Sequence, residues 1–226
     1  MIINAAMGNP DEEDRWKQLR QRMADAQLLP RGIDDQRVLQ AMRAVPRHLF
    51  VPPELQTDAY ADTPLPIGSG QTISQPYIVA RMTALLQLTA ADSVLEIGTG
   101  SGYQAAVLAF LARRVFTVEC IPDLAEAAAE RLRTLEVKNV EVLPGDGGAG
   151  LPQHAPFAAI LVSAAVPRVP HPLLTQLADG GRLVAPVGTR HHEWLQYWVK
   201  EGVHCKGERL TPVRFVPLTG EWGVED

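Results

Sequence analysis

Two scarcities bound the interpretation of this sequence: it contains few cysteines and no long apolar segment. Only Cys120 and Cys205 occur among its 226 residues, so a disulfide framework is not expected and both are predicted to be free thiols. No run of 18 apolar residues is present, which predicts that no helix crosses a membrane. Residues 1–14 lack the basic and apolar regions of a secretory signal. We therefore expect a cytoplasmic protein with no membrane partner.

An excess of positive charge is also missing. Lysine and arginine number 21 against 26 acidic residues, which gives a net charge of −5 and a pI near 5.7. That balance offers no electrostatic footprint for nucleic acid, so we expect no nucleic-acid partner. His191-His192 is the only histidine cluster in the sequence, and neither an H-E-x-x-H nor a C-x-x-C pattern accompanies it. The sequence therefore predicts no metal site.

The most informative stretch of the chain is residues 93–113. An apolar, β-branched run from Ser93 to Ile97 predicts a buried strand. Three glycines follow at alternate positions, and residues 103–113 have a helical pattern. Glycine admits backbone angles closed to other residues and lets a ligand lie against the main chain, and the start of a helix adds unpaired N–H groups. Together these elements predict a ligand site.

The order of residues in this turn discriminates between two nucleotide-like cofactors. Dinucleotide sites carry G-x-G-x-x-G after a strand, whereas this turn is G-x-G-x-G with Tyr103 in the place of the last glycine. Glu96, just before the turn, would repel a pyrophosphate but suits a cationic ammonium or sulfonium group. We therefore predict S-adenosylmethionine as the cofactor. Its predicted contacts in and beside the turn are Glu96, Gly98, Thr99, Gly100, Ser101 and Gly102.

From residue 93 onward strand and helix patterns alternate, which is typical of a parallel sheet with crossover helices. Strands are predicted at 93–97, 115–119, 140–143, 157–163 and 182–187, and helices at 103–113, 123–135 and 172–178. Three further strands, at 195–199, 203–206 and 213–218, are separated by hairpin turns. The predicted fold is therefore α/β, a doubly wound and mostly parallel sheet that ends in antiparallel C-terminal strands.

The first 80 residues are predicted to form an N-terminal extension. Apolar spacing indicates a helix at 11–27 and a second helix, which Asp34 or Asp35 caps and Pro46 ends. The proline-rich segment 46–76 contains apolar residues that argue against disorder, so we expect it to wrap over the core as a lid. The predicted parts are N-terminal helices and lid at 1–80, a cofactor-binding α/β core at 81–190 and C-terminal antiparallel strands at 191–226.

Three more polar residues are candidates for the site. Glu119 ends the second of these strands about 20 residues after the first glycine, where an acid binds ribose hydroxyls in nucleotide folds. Asp146 follows the third strand and could accept from an adenine amino group or stabilise a turn. Ser74 stands just before Pro76 and a helical pattern, so local chemistry alone favours a helix N-cap.

Several stretches taken together resemble the protein-L-isoaspartate O-methyltransferase family. They are residues 45–52 (VPRHLFVP), 66–76 (PIGSGQTISQP), 94–103 (VLEIGTGSGY), 145–147 (GDG) and 213–218 (VRFVPL). The combination of T-I-S-Q-P with E-I-G-T-G-S-G-Y is far more specific than a glycine turn alone. The resemblance implies a class I S-adenosylmethionine-dependent methyltransferase fold. One departure is Ala158, which stands where relatives often have aspartate, and we expect it to affect local packing or the adenine edge.

The resemblance implies methyl transfer from S-adenosylmethionine to the free α-carboxylate of L-isoaspartyl and D-aspartyl residues in damaged proteins. Ser74 matches the family's active-site serine, Glu119 its ribose-binding acid, and Asp146 with Gly147 the region that contacts adenine. Expected substrate contacts are Thr72, Ile73, Ser74, Val213 and Arg214. Because a free α-carboxylate has a pKa near 3.5 and is ionised at pH 7, it needs no general base. We therefore expect no catalytic residue to titrate near neutrality.

Three other functions fit parts of the sequence. A different methyltransferase could act on a small carboxylic acid or on RNA, although the acidic charge and the run 163–167 (SAAVP) count against RNA. A nucleotide-binding oxidoreductase is disfavoured by the G-x-G-x-G turn with Glu96. A catalytically silent adaptor is disfavoured by the intact glycines and Ser74.

Overall fold

The alternation of strands and helices predicted from residue 93 onward is present in the structure. This computed structural model describes residues 10–189 and 192–223. Its helices are α1 (Pro10–Met23), α2 (Gln36–Ala44), α3 (Pro76–Leu85), α4 (Tyr103–Leu111), α5 (Pro122–Thr134) and α6 (His171–Thr175). Its strands are β1 (Leu65–Gly68), β2 (Gln71–Ile73), β3 (Ser93–Ile97), β4 (Arg114–Glu119), β5 (Val140–Pro144), β6 (Phe157–Val162), β7 (Leu177–Thr189), β8 (His192–Glu201) and β9 (His204–Val213).

Seven strands form one sheet in the order β5-β4-β3-β6-β7-β8-β9. Strands β3 to β7 pair in parallel, whereas β8 and β9 pair antiparallel. The chain moves from β3 outward to β5 and then returns to the other side of β3 as β6. The carboxyl ends of β3 and β6 therefore flank the point where the strand order reverses, which is where open α/β sheets bind ligands. The predicted fold class is confirmed.

Both faces of the parallel part of the sheet are buried, as the continuous apolar runs in its strands indicate. Successive residues of β3 point to opposite faces, so Val94 belongs to one core and Leu95 to the other. The first of these cores extends from Trp16 in α1 to Leu195 in β8. This one core includes residues of all three parts predicted from the sequence. The division into those parts stays a prediction.

The first predicted helix is continuous but changes its form along its length. α1 passes into a π-helical turn at Ala24–Leu28 and a 3₁₀ turn at Leu29–Arg31, and Gly32 ends it with a φ of 83°. Of the two candidate caps for α2, Asp35 is the one used, because its carboxylate accepts the backbone N–H of Arg37 at 2.9 Å. α2 then ends before the proline, as predicted.

The proline-rich segment 46–76 contains more regular structure than the predicted lid. Two 3₁₀ turns, at Arg47–Phe50 and Pro53–Asp58, precede an antiparallel hairpin of β1 and β2. We did not predict this hairpin, although its turn residues 68–70 carry a glycine signal and have φ values of 92°, 51° and 70°. The hairpin places β2 beside the carboxyl end of the main sheet.

Buried polar contacts hold the segment 46–76 together, and one of them reaches the core. The Arg47 guanidinium is fully buried 5.0 Å from the ring centre of Tyr103, and its Nε donates to the Ala59 carbonyl at 2.7 Å. Burial lowers the pKa of Arg47 to about 10, so the side chain stays charged at pH 7. His48 Nδ1 lies 2.7 Å from the Tyr60 hydroxyl, and burial lowers the pKa of His48 to about 4. The segment wraps over the core, as predicted.

Two predicted elements near the end of the parallel sheet are displaced. The helix predicted at 172–178 is shorter, because α6 ends at Thr175. β7 begins at Leu177 instead of 182, so it is a 13-residue strand that includes both glycines of the expected turn. β9 is also longer than the strand predicted at 203–206.

The predicted strand at 213–218 is wrong. β9 ends at Val213, the first residue of this segment. Pro212, beside the segment, and Pro217, within it, have no N–H to donate to a neighbouring strand. The N–H of Phe215 donates to the Glu193 carboxylate at 2.7 Å and not to a neighbouring strand. Ala165, which follows β6, donates to the Val216 carbonyl and accepts from the Leu218 N–H, both at 2.8 Å. The segment therefore lies over the carboxyl end of β6.

Within residues 10–189 and 192–223, no helix is long and apolar enough to cross a membrane. The same part of the chain holds no group of three or more His, Cys, Asp or Glu side chains able to bind a metal ion. Its two cysteines are free, with Cys120 exposed and Cys205 half-buried. Of the histidine pair 191–192, His191 lies outside the described residues and His192 is the first residue of β8.

Candidate active site

The glycine turn between β3 and α4 opens a cavity at the carboxyl end of the sheet. Gly98 has a φ of 89° and donates to the Val118 carbonyl at 2.8 Å, so the turn folds over the end of β4. A Cβ on Gly98 would lie 3.5 Å from Ser163, after β6, and one on Gly100 would lie 3.4 Å from Ile67 in the hairpin. The missing side chains leave room for a ligand between these walls.

This space, the cofactor cavity, lies between β2, the glycine turn, the ends of β3, β4 and β6, and residues 216–219. About 820 Å³ of it, open solvent at its mouth included, is free of protein atoms. Its lining includes seven predicted cofactor contacts: Glu96, Gly98, Thr99, Gly100, Ser101, Glu119 and Gly147. The structure thus brings together seven of the nine predicted cofactor contacts.

Gly102 has a packing role instead. It is the N-cap of α4 with a φ of 87°, and a Cβ on it would lie 3.4 Å from both Ala128 and Leu132 of α5. The left-handed φ favours glycine at this position, and α5 packs against it at ordinary van der Waals distance. A contact of Gly102 with the cofactor stays a prediction.

Asp146 stabilises a turn, which is one of the two roles considered for it. Its Oδ1 accepts the N–H of Gly148 and its Oδ2 the N–H of Glu221, each at 2.9 Å. Asp146 therefore ties the loop after β5 to the C-terminal segment that closes the cavity. Its contact with adenine stays a prediction.

Glu119 is buried at the end of β4 and is not a solvated strand end. Its Oε2 accepts the N–H of Gly100 at 2.8 Å, and its Oε1 accepts the N–H of Ile121 at 3.0 Å. The carboxylate therefore fixes the glycine turn relative to β4. It retains lone pairs beyond these two bonds, so it can also accept hydrogen bonds from ribose hydroxyls, as predicted.

Glu96 lines the cavity although it is fully buried. Thr117 Oγ1 donates to its Oε2 at 2.7 Å, and Ser163 Oγ donates to its Oε1 at 3.4 Å. Burial is the main cause that raises the pKa of Glu96 to about 8; the Thr117 hydrogen bond lowers it and the charge of Glu119 raises it. Glu96 is a predicted cofactor contact and not a catalytic residue, so the expectation that no catalytic residue titrates near neutrality stays a prediction. With no cation beside it, the carboxyl is mostly protonated at pH 7.

This pKa predicts that S-adenosylmethionine binds more tightly as the pH rises from 6 to 8. Below pH 8 a cation that prefers ionised Glu96 must displace its proton, so affinity should increase by up to about tenfold per pH unit. Above pH 8 the group is already ionised, and the affinity should level off. Calorimetry at several pH values measures this, with Glu96→Gln as the variant that loses the slope. A flat wild-type affinity between pH 6 and 8 would contradict the assignment.

A second and wider space, the substrate cleft, adjoins the cofactor cavity. It is bounded by Arg31, the start of α3 and residues 211–217, and holds about 1620 Å³, opening included. Of the predicted substrate contacts, Thr72, Ser74, Val213 and Arg214 line this cleft, whereas Ile73 lines the cofactor cavity. Five residues line both spaces, which therefore meet at them: Thr72, Ser74, Ser163, Val216 and Pro217.

Ser74 is not the helix cap that local chemistry favoured. The N-cap of α3 is Gln75, which makes no side-chain cap bond. The N–H of Tyr77, which a serine cap at position 74 would bind, donates to the Asp62 carboxylate at 2.8 Å. Within the described residues the Ser74 hydroxyl makes no hydrogen bond. It is therefore available where the two spaces meet.

Among the residues that escaped the sequence analysis, two donate to or contact the Glu96 carboxyl. Ser163 was passed over because its run lacks the residues that grip an amino group, yet a polar residue directly after an apolar strand was a signal for the site edge. Thr117 connects Glu96 to Thr99, whose hydroxyl lies 2.7 Å from its own. A threonine within a β-branched strand is ordinary, so no signal marked it.

Comparison with known proteins shows the family of the chain. The model of the protein-L-isoaspartate(D-aspartate) O-methyltransferase family matches residues 20–223. A protein-L-isoaspartate O-methyltransferase from Methanoregula boonei is 55% identical over 207 residues, which are 92% of this chain and 95% of that one. The chain belongs to this family. A family member from Roseiflexus castenholzii is 57% identical over 200 residues, covering 88% of this chain and 92% of its own.

Solved structures of the family share the fold. One protein-L-isoaspartate O-methyltransferase has a TM-score of 0.81 and 27% identity, covering 92% of this chain and 67% of that one. A Plasmodium falciparum protein described under the same family name, in complex with S-adenosyl-L-homocysteine, has a TM-score of 0.75 and 25% identity, with coverages of 90% and 97%. The predicted family, methyltransferase activity and S-adenosylmethionine as cofactor are confirmed.

Proposed function

We propose that methyl transfer takes place beside Ser74, where the cofactor cavity opens into the substrate cleft. The reaction moves a methyl group from S-adenosylmethionine to the free α-carboxylate of L-isoaspartyl and D-aspartyl residues in damaged proteins and peptides. The observation that carries this placement is that Ser74 lines both spaces and has an unbonded hydroxyl. Formation of this ester is the first step in the repair of the damaged residue.

The polar groups of the cofactor cavity fit S-adenosylmethionine, which supplies a methyl group on a positively charged sulfur. Glu96 is a buried carboxyl with no cation beside it, so it suits the positive charge of such a ligand. Glu119 receives the ribose hydroxyls. Gly147 admits no side chain, because a Cβ there would lie 2.5 Å from Ile97, and this keeps the adenine end of the cavity open.

The acceptor needs little chemical help from the protein. A carboxylate is already ionised at pH 7, and its attack on a positively charged methyl donor brings opposite charges together. The protein must therefore hold the two groups in line and exclude water. The cofactor cavity and the substrate cleft meet at the residues that line both, and this provides that arrangement.

Ser74 positions the acceptor. Its hydroxyl donates to one carboxylate oxygen of the isoaspartyl residue, which turns the other oxygen toward the cofactor cavity. Thr72 and Ile73 on one side and Val213 and Arg214 on the other hold the peptide, and an extended peptide can pair through its backbone with such segments. Recognition through backbone tolerates many sequences, which suits a repair enzyme.

A small carboxylic acid is the second candidate acceptor. The substrate cleft holds about 1620 Å³ of protein-free space, open solvent included, and this open shape favours a peptide. The net charge of −5 disfavours nucleic acid as a partner. From the two free thiols we also propose a cytoplasmic location.

The function is tested with an isoaspartyl peptide and its twin that carries normal aspartate, each incubated with S-adenosylmethionine labelled in its methyl group. Label is expected in the isoaspartyl peptide alone. The free carboxylate of isoaspartate is bonded directly to Cα, whereas that of aspartate is separated from Cα by a methylene group. Equal labelling of both peptides would contradict the proposal. Labelling of small acids and of neither peptide would favour the second candidate.

A further inference from the structure

The availability of Ser74 depends on a competition for one N–H group. In the segment Ser74-Gln75-Pro76-Tyr77 a serine N-cap would accept the N–H of Tyr77, three residues further on. Pro76 has no N–H of its own, so Tyr77 offers the first free donor of α3. In the structure Asp62 Oδ1 accepts this N–H at 2.8 Å. A carboxylate is the stronger acceptor of the two.

Other contacts hold Asp62 in this position. Arg31 forms an ion pair with its Oδ2, and the Gln75 amide donates to the same oxygen at 3.4 Å. The Arg31 guanidinium also lies 3.5 Å from the ring centre of Tyr77. Arg31, Gln75 and Tyr77 all line the substrate cleft. The Asp62 carboxylate is therefore fixed between the first turn of α3 and the chain that follows α1.

We propose that Asp62 is a positioning residue for methyl transfer: it occupies the N–H of Tyr77 and so keeps the Ser74 hydroxyl available for the substrate carboxylate. The inference rests on the proposed role of Ser74. Without Asp62, the orphaned N–H recruits the nearest acceptor, which by sequence is the Ser74 hydroxyl. Ser74 then serves as a helix cap for most of the time and holds the substrate for the remainder.

The test is Asp62→Ala assayed on an isoaspartyl peptide, with kcat, KM and S-adenosylmethionine affinity measured separately. We expect kcat to fall about fivefold, because one helix-cap hydrogen bond favours the capping state of Ser74 over the available state by about that ratio. The cofactor affinity should stay unchanged. Asp62→Asn retains an oxygen for the Tyr77 N–H and should restore most of kcat. Asp62→Glu keeps the charge beside Arg31 but carries its oxygens one methylene further, so it should fall below the asparagine variant. The reverse order would show that the charge matters and would overturn the proposal.

A mutant cycle separates positioning from a merely structural role. In a Ser74→Ala background the hydroxyl is gone, so Asp62→Ala should have no further effect on kcat. An equal loss in both backgrounds, or an unchanged kcat in Asp62→Ala itself, would overturn the proposal. If Asp62→Ala does not fold, Asp62→Glu replaces it in the same cycle. Should wild type ignore the isoaspartyl peptide, the proposed function fails, whereas failure of the cycle alone removes only the role of Asp62.

Discussion

Replacement of Ser74 by alanine is expected to lower the methylation rate by about 10-fold to 100-fold while leaving S-adenosylmethionine affinity nearly unchanged. That factor corresponds to one transition-state hydrogen bond of about 1.4–2.7 kcal/mol. Ser74 bonds to no described residue of the chain, so its loss should cost little stability. Because the hydroxyl is not a general base, the pH profile of the variant should keep the wild-type shape.

Steady-state kinetics with an isoaspartyl peptide, together with calorimetry for the cofactor, measure both expectations. Ser69→Ala is a matched control, since Ser69 is an exposed serine at the tip of the hairpin that precedes Ser74. This control should behave as wild type. Full activity in Ser74→Ala would remove the serine from the mechanism, and a large loss of cofactor affinity would place it in the cofactor site instead.

Replacement of Glu119 by alanine should weaken S-adenosylmethionine binding by about 10-fold to 100-fold, because a hydrogen bond to a charged group contributes about 1.5–3 kcal/mol. Two effects act in the same direction. The ribose loses its acceptor, and the N–H groups of Gly100 and Ile121 lose the carboxylate that fixes the glycine turn. Affinity measured by calorimetry on a variant shown to be folded provides the test.

Two further variants define which effect dominates. Glu119→Gln keeps one oxygen acceptor for the turn but not the charge, so its affinity should lie between those of wild type and the alanine variant. Glu141→Ala removes a carboxylate from the neighbouring strand, where it pairs with Arg114, and should leave the affinity unaltered. An unchanged affinity in Glu119→Ala would withdraw the ribose assignment.

Local signals explain which parts of the site were predictable. The glycine turn and Glu119 are marked by their positions relative to strand ends, and the parallel sheet aligns those ends at one edge whatever the rest of the chain does. Gly102 follows the same spacing but packs on α5. The spacing alone could not predict this, because it does not tell which side of a turn faces a ligand.

The role of Ser74 could not be predicted from local chemistry because its competitor is distant. Asp62 lies 15 residues before Tyr77, and it reaches that N–H only after the intervening turns and the hairpin have folded. The segment 213–218 shows the same limit. It was predicted as a strand, but its backbone partner is Ala165, 51 residues before Val216, and no periodicity encodes that pairing.

The most direct test of the account is a crystal structure of the protein with S-adenosyl-L-homocysteine and an isoaspartyl peptide. The measured quantity is the distance from Ser74 Oγ to the nearer oxygen of the isoaspartyl α-carboxylate. We predict about 2.7 Å, a normal O–H···O hydrogen bond, with the other carboxylate oxygen directed at the sulfur and the peptide lying in the substrate cleft. A peptide carboxylate held elsewhere, with Ser74 still unbonded or capping α3, would contradict the account.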